Sequence, residues 1–239
     1  MSIKSCLIRT SLAALFVSPC AMPQAASLQV APVLVEVPAP GATATLKLRN
    51  EGTKQLDAQI RIFEWTQVDG EDVLTPTNDV AASPPVASLQ PNADYTVRVV
   101  RTKREPAVKE EAYRLFIDEL PEPASGQASA VNIALRYSIP VFFTVPGGAA
   151  PRLSWELQRR TNKPVIVASN AGDRRIRLAK LKVTDGKGIV ANFGEGLAGY
   201  VLSHASMNFA VPANAKGFGV GGLASISAQS DLGPIDAKP

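Results

Sequence analysis

Histidine is nearly absent from this 239-residue chain, where His204 stands alone. Metal centres and proton-relay triads that draw on several histidines are excluded, and a lone histidine between Ser203 and Ala205 reads as a surface residue. Cysteine is almost as scarce, because Cys6 and Cys20 are the two present and both fall near the start. A chain that has lost that segment keeps no thiol for a disulfide and must hold together by burial alone. Charge of one sign is lacking too. The 25 Lys and Arg face 21 Asp and Glu, a balance that argues against nucleic acid as the main partner. Helical periodicity longer than a turn or two is missing. Carboxylates are scattered without the spacing of a paired acid and base. Gly194, Gly196 and Gly199 fit G-x-G-x-x-G, as do Gly217, Gly219 and Gly222, but neither set opens a helical pattern, so both read as turns between strands. No catalytic residue, metal or cofactor is expected, and the chain does not read as an enzyme.

What is present begins with a leader. Lys4 and Arg9 make a basic start, Ser11 to Ser18 is a short apolar core, and Ala25 and Ala26 are small. That is the layout of a secretory signal, expected over residues 1–26, and its apolar core is too short to span a bilayer. Pro19 sits where a lipid-attachment signal at Cys20 wants a small residue. Loss of Lys4 and Arg9 brings the charge excess down to two.

The rest reads as strands bounded by turn residues. In the first half they are expected at Leu28–Val37, Thr43–Asn50, Asp57–Thr66, Ala93–Arg101, Glu111–Leu120 and Ala130–Phe143. Turn chemistry lies between them, at Gly41, Gly52, Asp69-Gly70, Pro84-Pro85 and Pro91-Asn92. Val145 to Pro151, with two glycines between two prolines, marks a boundary. Shorter strands resume from Arg152, and the end from Asp231 to Pro239 reads as frayed. The fold class expected is all-β, with two immunoglobulin-like β-sandwiches set at an angle around a cleft. The first is expected over 27–145, a linker over 146–151, the second over 152–232 and a tail over 233–239. Trp65 and Trp155 are most simply core or interdomain packing.

In the last strand of the first half, Val131, Ile133, Leu135, Tyr137 and Ile139 fall at every second position. Side chains alternate between faces of a strand, so all five share one side. Such a row either fills the core of its own sandwich or is partly presented to another protein.

Together with SPPVASLQPNADYTVRV (Ser83 to Val99), this region resembles the PapD-like periplasmic pilus-assembly chaperones. FEWTQ (Phe63 to Gln67), YRLFIDELP (Tyr113 to Pro121) and LRYSIP (Leu135 to Pro140) are most similar to the archaic branch of that family. The resemblance runs from about Leu28 to Phe143. It implies a periplasmic chaperone whose partners are pilin-like subunits and an outer-membrane usher. It also implies that the alternating row is lent to a pilin lacking its own last strand. Strand addition of this kind draws affinity from backbone hydrogen bonds and specificity from alternate side chains. A free chaperone with such an edge is expected either to self-associate weakly or to fold its loop back over the edge.

The best-known members hold the subunit's C-terminal carboxylate with two basic residues in the cleft. Matching the motifs puts Pro32 and Pro140 at those positions. Arg98, Arg101 and Arg136 are the nearest replacements, since a guanidinium can hold a carboxylate through two hydrogen bonds. The plain alternative for each is a solvated strand-face residue. An exported two-domain adhesion module is the rival for the chain as a whole.

Overall fold

The computed structural model describes residues 28–121, 134–160 and 163–238, so the expected leader lies outside it. Eighteen strands and no helix make up these residues. In the N-terminal sandwich β1 (Leu28–Ala31), β3 (Thr43–Asn50), β8 (Asp94–Arg101) and β6 (Val80–Ser83) form one sheet in that order. The facing sheet runs β2 (Val35–Pro38), β10 (Arg136–Thr144), β9 (Glu111–Leu120), β4 (Leu56–Val68) and β5 (Glu71–Pro76), with β7 (Val86–Leu89) also on β4. Alternation explains the core between them: Leu46 and Leu48, Val97 and Val99, Leu115 and Ile117, and Val141 and Phe143 all turn inward.

The strand expected over Leu28–Val37 is two strands. Pro32 brings no N–H to continue a ladder, and the chain crosses from β1 in one sheet to β2 in the other. β2 then pairs in parallel with β10. Of the strand expected over Ala130–Phe143, residues 130–133 lie outside the described residues, and β10 runs from Arg136.

The C-terminal sandwich has one sheet of β11 (Leu153–Arg160), β12 (Lys163–Asn170) and β16 (Ser206–Ala210). The other is β14 (Val190–Asn192), β13 (Ile176–Asp185), β17 (Leu223–Ser230) and β18 (Gly233–Ala237), with β15 (Leu197–Val201) also on β13. The frayed tail of the sequence reading is corrected here, since Gly233–Ala237 pairs along β17. Its sequence alternates, and Ile235 and Ala237 pack on the domain core. Trp155 packs against the same core. Gly199 lies inside β15 rather than in a turn. The second glycine set is a loop, clasped by Asp185, which accepts from the amides of Lys187, Ile189, Gly219 and Val220.

The domains meet through an aromatic joint of Trp65, Phe142, Tyr200 and Leu202. Beside it the Gln67 side-chain amide donates to the Tyr200 carbonyl at 2.8 Å and accepts from the Leu202 amide at 3.0 Å. The β4–β5 turn completes the joint. Gly70 has φ +80°, and a Cβ there would fall 2.2 Å from the Asn208 side chain. Only glycine lets this turn approach β16, where the Asn208 amide reaches the Gly70 carbonyl at 2.8 Å.

Candidate functional site

The edge of β10 is the first element of the site. β9 pairs with it from Arg136 to Phe143, whereas β2 pairs only from Val141 to Thr144. Among the described residues, the stretch from Arg136 to Pro140 therefore has a strand on one side only. The apolar row continues inward from this stretch. Ile139 is 3% exposed within the domain core, Tyr137 packs against that core, and its hydroxyl donates to the Leu28 carbonyl. Leu135 is half-buried, with its carbonyl accepting from the Glu119 amide at 2.9 Å. Val131 and Ile133 lie outside the described residues. The core stripe of the sandwich thus runs up β10 toward its open end, where Tyr137 and Ile139 already have neighbours of their own and Leu135 only partly so.

The three arginines chosen from the sequence go to three different places. Arg98 is exposed on the opposite sheet, across from Thr45 and Ser83. Arg101 is bound at both ends of its fork by Glu111, at 2.8 and 2.9 Å, and also reaches the carbonyls of Lys103 and Glu105. The Glu111 hydrogen bond outweighs burial and raises the Arg101 pKa above its ordinary value. Arg136 is paired with Asp118 at the upper end of β10. None of the three lies in the joint between the domains.

Two arginines that the sequence reading passed over do. Arg114 sits directly across the ladder from Pro140, and its guanidinium lies 3.6 Å from the Trp65 ring centroid and 5.6 Å from that of Tyr200. Burial pulls its pKa below the ordinary value while Asp72 acts in the opposite sense. Arg175 is 3% exposed, stacks 3.7 Å from the Phe142 centroid, and pairs with Glu110 at 2.7 Å and with Glu36. Burial pushes the Glu110 carboxyl up to about 7. The two cations differ in what they have left to offer. Arg175 is committed to carboxylates of the N-terminal domain, whereas the described contacts of Arg114 are with aromatic faces, which take up none of its N–H groups in hydrogen bonds. A cleft of about 580 Å³ opens at the same joint, with Trp65, Glu110 and Tyr113 on one wall and Leu202 and His204 on the other. His204 is bonded to Asp173 at 2.7 Å and half-exposed.

The signal for Arg114 was a basic residue among aromatics in YRLF, at an outward position of a central strand. Its place beside Pro140 depends on the β9–β10 register, which the motif alone does not specify.

The chain as a whole has relatives among known proteins. The family described as pili and flagellar-assembly chaperone, PapD N-terminal domain, matches residues 27–148, and the chain belongs to it. Among solved structures the chain is similar to the CsuC–CsuE chaperone-tip adhesion subunit pre-assembly complex from the archaic chaperone-usher Csu pili of Acinetobacter baumannii. That match has 24% identity and a TM-score of 0.71, and covers 88% of this chain and 98% of that one. The Salmonella enterica SafA pilin complex with the SafB chaperone matches at 18% identity and TM-score 0.61, over 91% and 98% of the two chains. The Escherichia coli chaperone DraB matches at 18% identity and TM-score 0.58, over 89% and 98%. These likenesses extend through both sandwiches and establish the two-domain immunoglobulin-like fold. No curated protein matches the chain at a significant level.

Proposed function

We propose that this chain is a periplasmic chaperone of the archaic branch that holds pilin-like subunits by strand addition and hands them to an outer-membrane usher. The observation that carries the reading is the one-sided pairing of β10, whose neighbour β2 stops at Val141. A strand with an open edge and an apolar row leading out of its own core can complete another sheet. The motifs shared with archaic members and the fold likeness to a complex from Csu pili support the branch. Two of the similar solved structures are chaperone complexes, one with a tip adhesion subunit and one with a pilin. By analogy, the subunit here is pilin-like.

In this reading Leu135, with Val131 and Ile133 ahead of it, enters the subunit, while Tyr137 and Ile139 tie the lent strand to its own domain. Arg114 takes the subunit's C-terminal carboxylate in place of the basic residue that Pro140 displaces. A desolvated carboxylate needs such a partner.

Periplasmic co-expression with pilin-like subunits from the source organism tests the reading. One-to-one complexes, with subunit lost when the chaperone is omitted, are the expected result. A soluble subunit that persists alone and never co-purifies would contradict it.

A further inference from the structure

The side chains of β10 leave part of its own register open. Leu135, Tyr137, Ile139, Val141 and Phe143 are all apolar and alternate. A slip of one residue would turn the row out of the core, but a slip of two returns an apolar side chain to each inward position. Below Pro140 the β2 ladder and the packing of Phe142 resist such a slip. Above it, the Tyr137 hydroxyl bond to the Leu28 carbonyl opposes one, and a second device adds to it.

That device is present at the first rung. Arg136 lies opposite Asp118 in the β9–β10 ladder. Asp118 uses both carboxylate oxygens, one for Arg136 Nε and the other for Arg61 Nη2 at 2.6 Å, so the group ties β10 through β9 to β4. Phe63 and Phe116, with centroids 5.6 Å apart, lie beneath the two guanidinium groups, at 5.8 Å from Arg61 and 5.1 Å from Arg136. Asp118 itself is 8% exposed. Burial pulls its carboxyl up, but the hydrogen bonds from Arg136 and Arg61 outweigh this and hold it below the ordinary value.

We propose that Asp118 is a positioning residue that, through Arg136 and Arg61, sets the register at which β10 is offered to a subunit. The inference rests on the strand-addition reading above and adds to it the group that decides which side chains lie beyond the sandwich. A shifted strand would offer the wrong spacing to the subunit's groove even though the chaperone stayed folded.

The test uses Asp118→Asn and Arg136→Gln in the full chain, the second because Arg136 is 58% exposed and its loss spares the fold. Amide exchange is read first on the free protein. The Glu119 amide, which bonds to the Leu135 carbonyl, and the first amides of β10 should exchange faster by about tenfold or more, while those of Val141 to Phe143 stay protected. Capture of a pilin-like subunit from the source organism should slow in both variants. Unchanged exchange in Arg136→Gln would overturn the proposal, as would faster exchange with capture as rapid as in the parent. Should the parent itself capture no subunit, the chaperone reading fails instead, and the exchange data, which need no partner, distinguish that result.

Discussion

Pro140 and Arg114 face each other across the β9–β10 ladder, so the position at which the family resemblance leads one to expect a basic residue lies beside an arginine on the neighbouring strand. That arginine lies one strand inward, 3.6 Å from the Trp65 ring centroid. In the proposed role, contact with the Trp65 ring holds the guanidinium ready for a subunit's carboxylate.

Replacing Arg114 with Ala should weaken subunit binding by about 2–5 kcal/mol, the usual cost of leaving a buried charge without its partner. Arg98→Ala should change binding and stability by no more than about 0.5 kcal/mol. Arg101→Ala should act on stability instead, because it strands Glu111 and removes four hydrogen bonds within the domain. Calorimetric titration and thermal melts of the three single variants separate these effects. Equal affinity in Arg114→Ala and the parent would place the anchor elsewhere.

Along β10 the same apolar row should split into two behaviours. Ile139→Ala opens a cavity in the core and should cost about 2–5 kcal/mol of stability. Leu135→Asp should leave the melting temperature nearly unchanged and abolish capture, since burying one such residue in a partner is worth about 1.5–3 kcal/mol. Denaturant melts with a pull-down of the co-expressed subunit check both. Unfolding caused by Leu135→Asp would mean that this residue, too, belongs to the sandwich's own core.

Much of this division could not be read from the alternation alone. The sequence pattern put all five residues on one side, and for Tyr137 and Ile139 that side is the core face; where the paired part of the sandwich ends depends on β2, which begins only at Val35 and lies outside the motif. The same non-local dependence hid Arg114. Legible features were those with local chemistry, such as the turn at Asp69-Gly70 and the break at Val145 to Pro151, where no strand lies between Thr144 and Leu153. One repeated local device was also missed. Asn50 and Asn170 end β3 and β12, and each accepts from the glycine amide two residues on, at 2.9 Å, and donates to the carbonyl four residues on, at 2.7 Å. Asn-x-Gly reads as an ordinary turn until the burial of both side chains shows that it closes the same corner in each domain.

Acid should loosen the C-terminal domain through Asp185. Burial acts to raise its pKa, but four backbone amides outweigh it and hold the carboxyl below its ordinary value of 3.8. A depressed pKa contributes stability that is present above the unfolded value and lost as pH falls through the folded one. Asp185→Asn should therefore lower the melting temperature at neutral pH, and the gap from the parent should close progressively below about pH 4. A gap that stayed constant down to pH 2 would show that the charge contributes nothing.

Without a subunit, the open edge should pair with itself. Unpaired backbone groups beside an apolar row favour association, so sedimentation should show a weak dimer that dissociates on dilution and disappears on addition of subunit. Strict monomer behaviour at high concentration would mean that the edge is covered from within the chain.

The most direct test of strand addition is disulfide mapping between a Leu135→Cys variant and cysteines placed in turn along the groove of the pilin-like subunit. Strand addition at β10 predicts cross-links at alternate subunit positions, following the two-residue period of a strand. A subunit that cross-links instead to Leu74→Cys on β5, the opposite edge of the same sheet, and never to position 135, would contradict it.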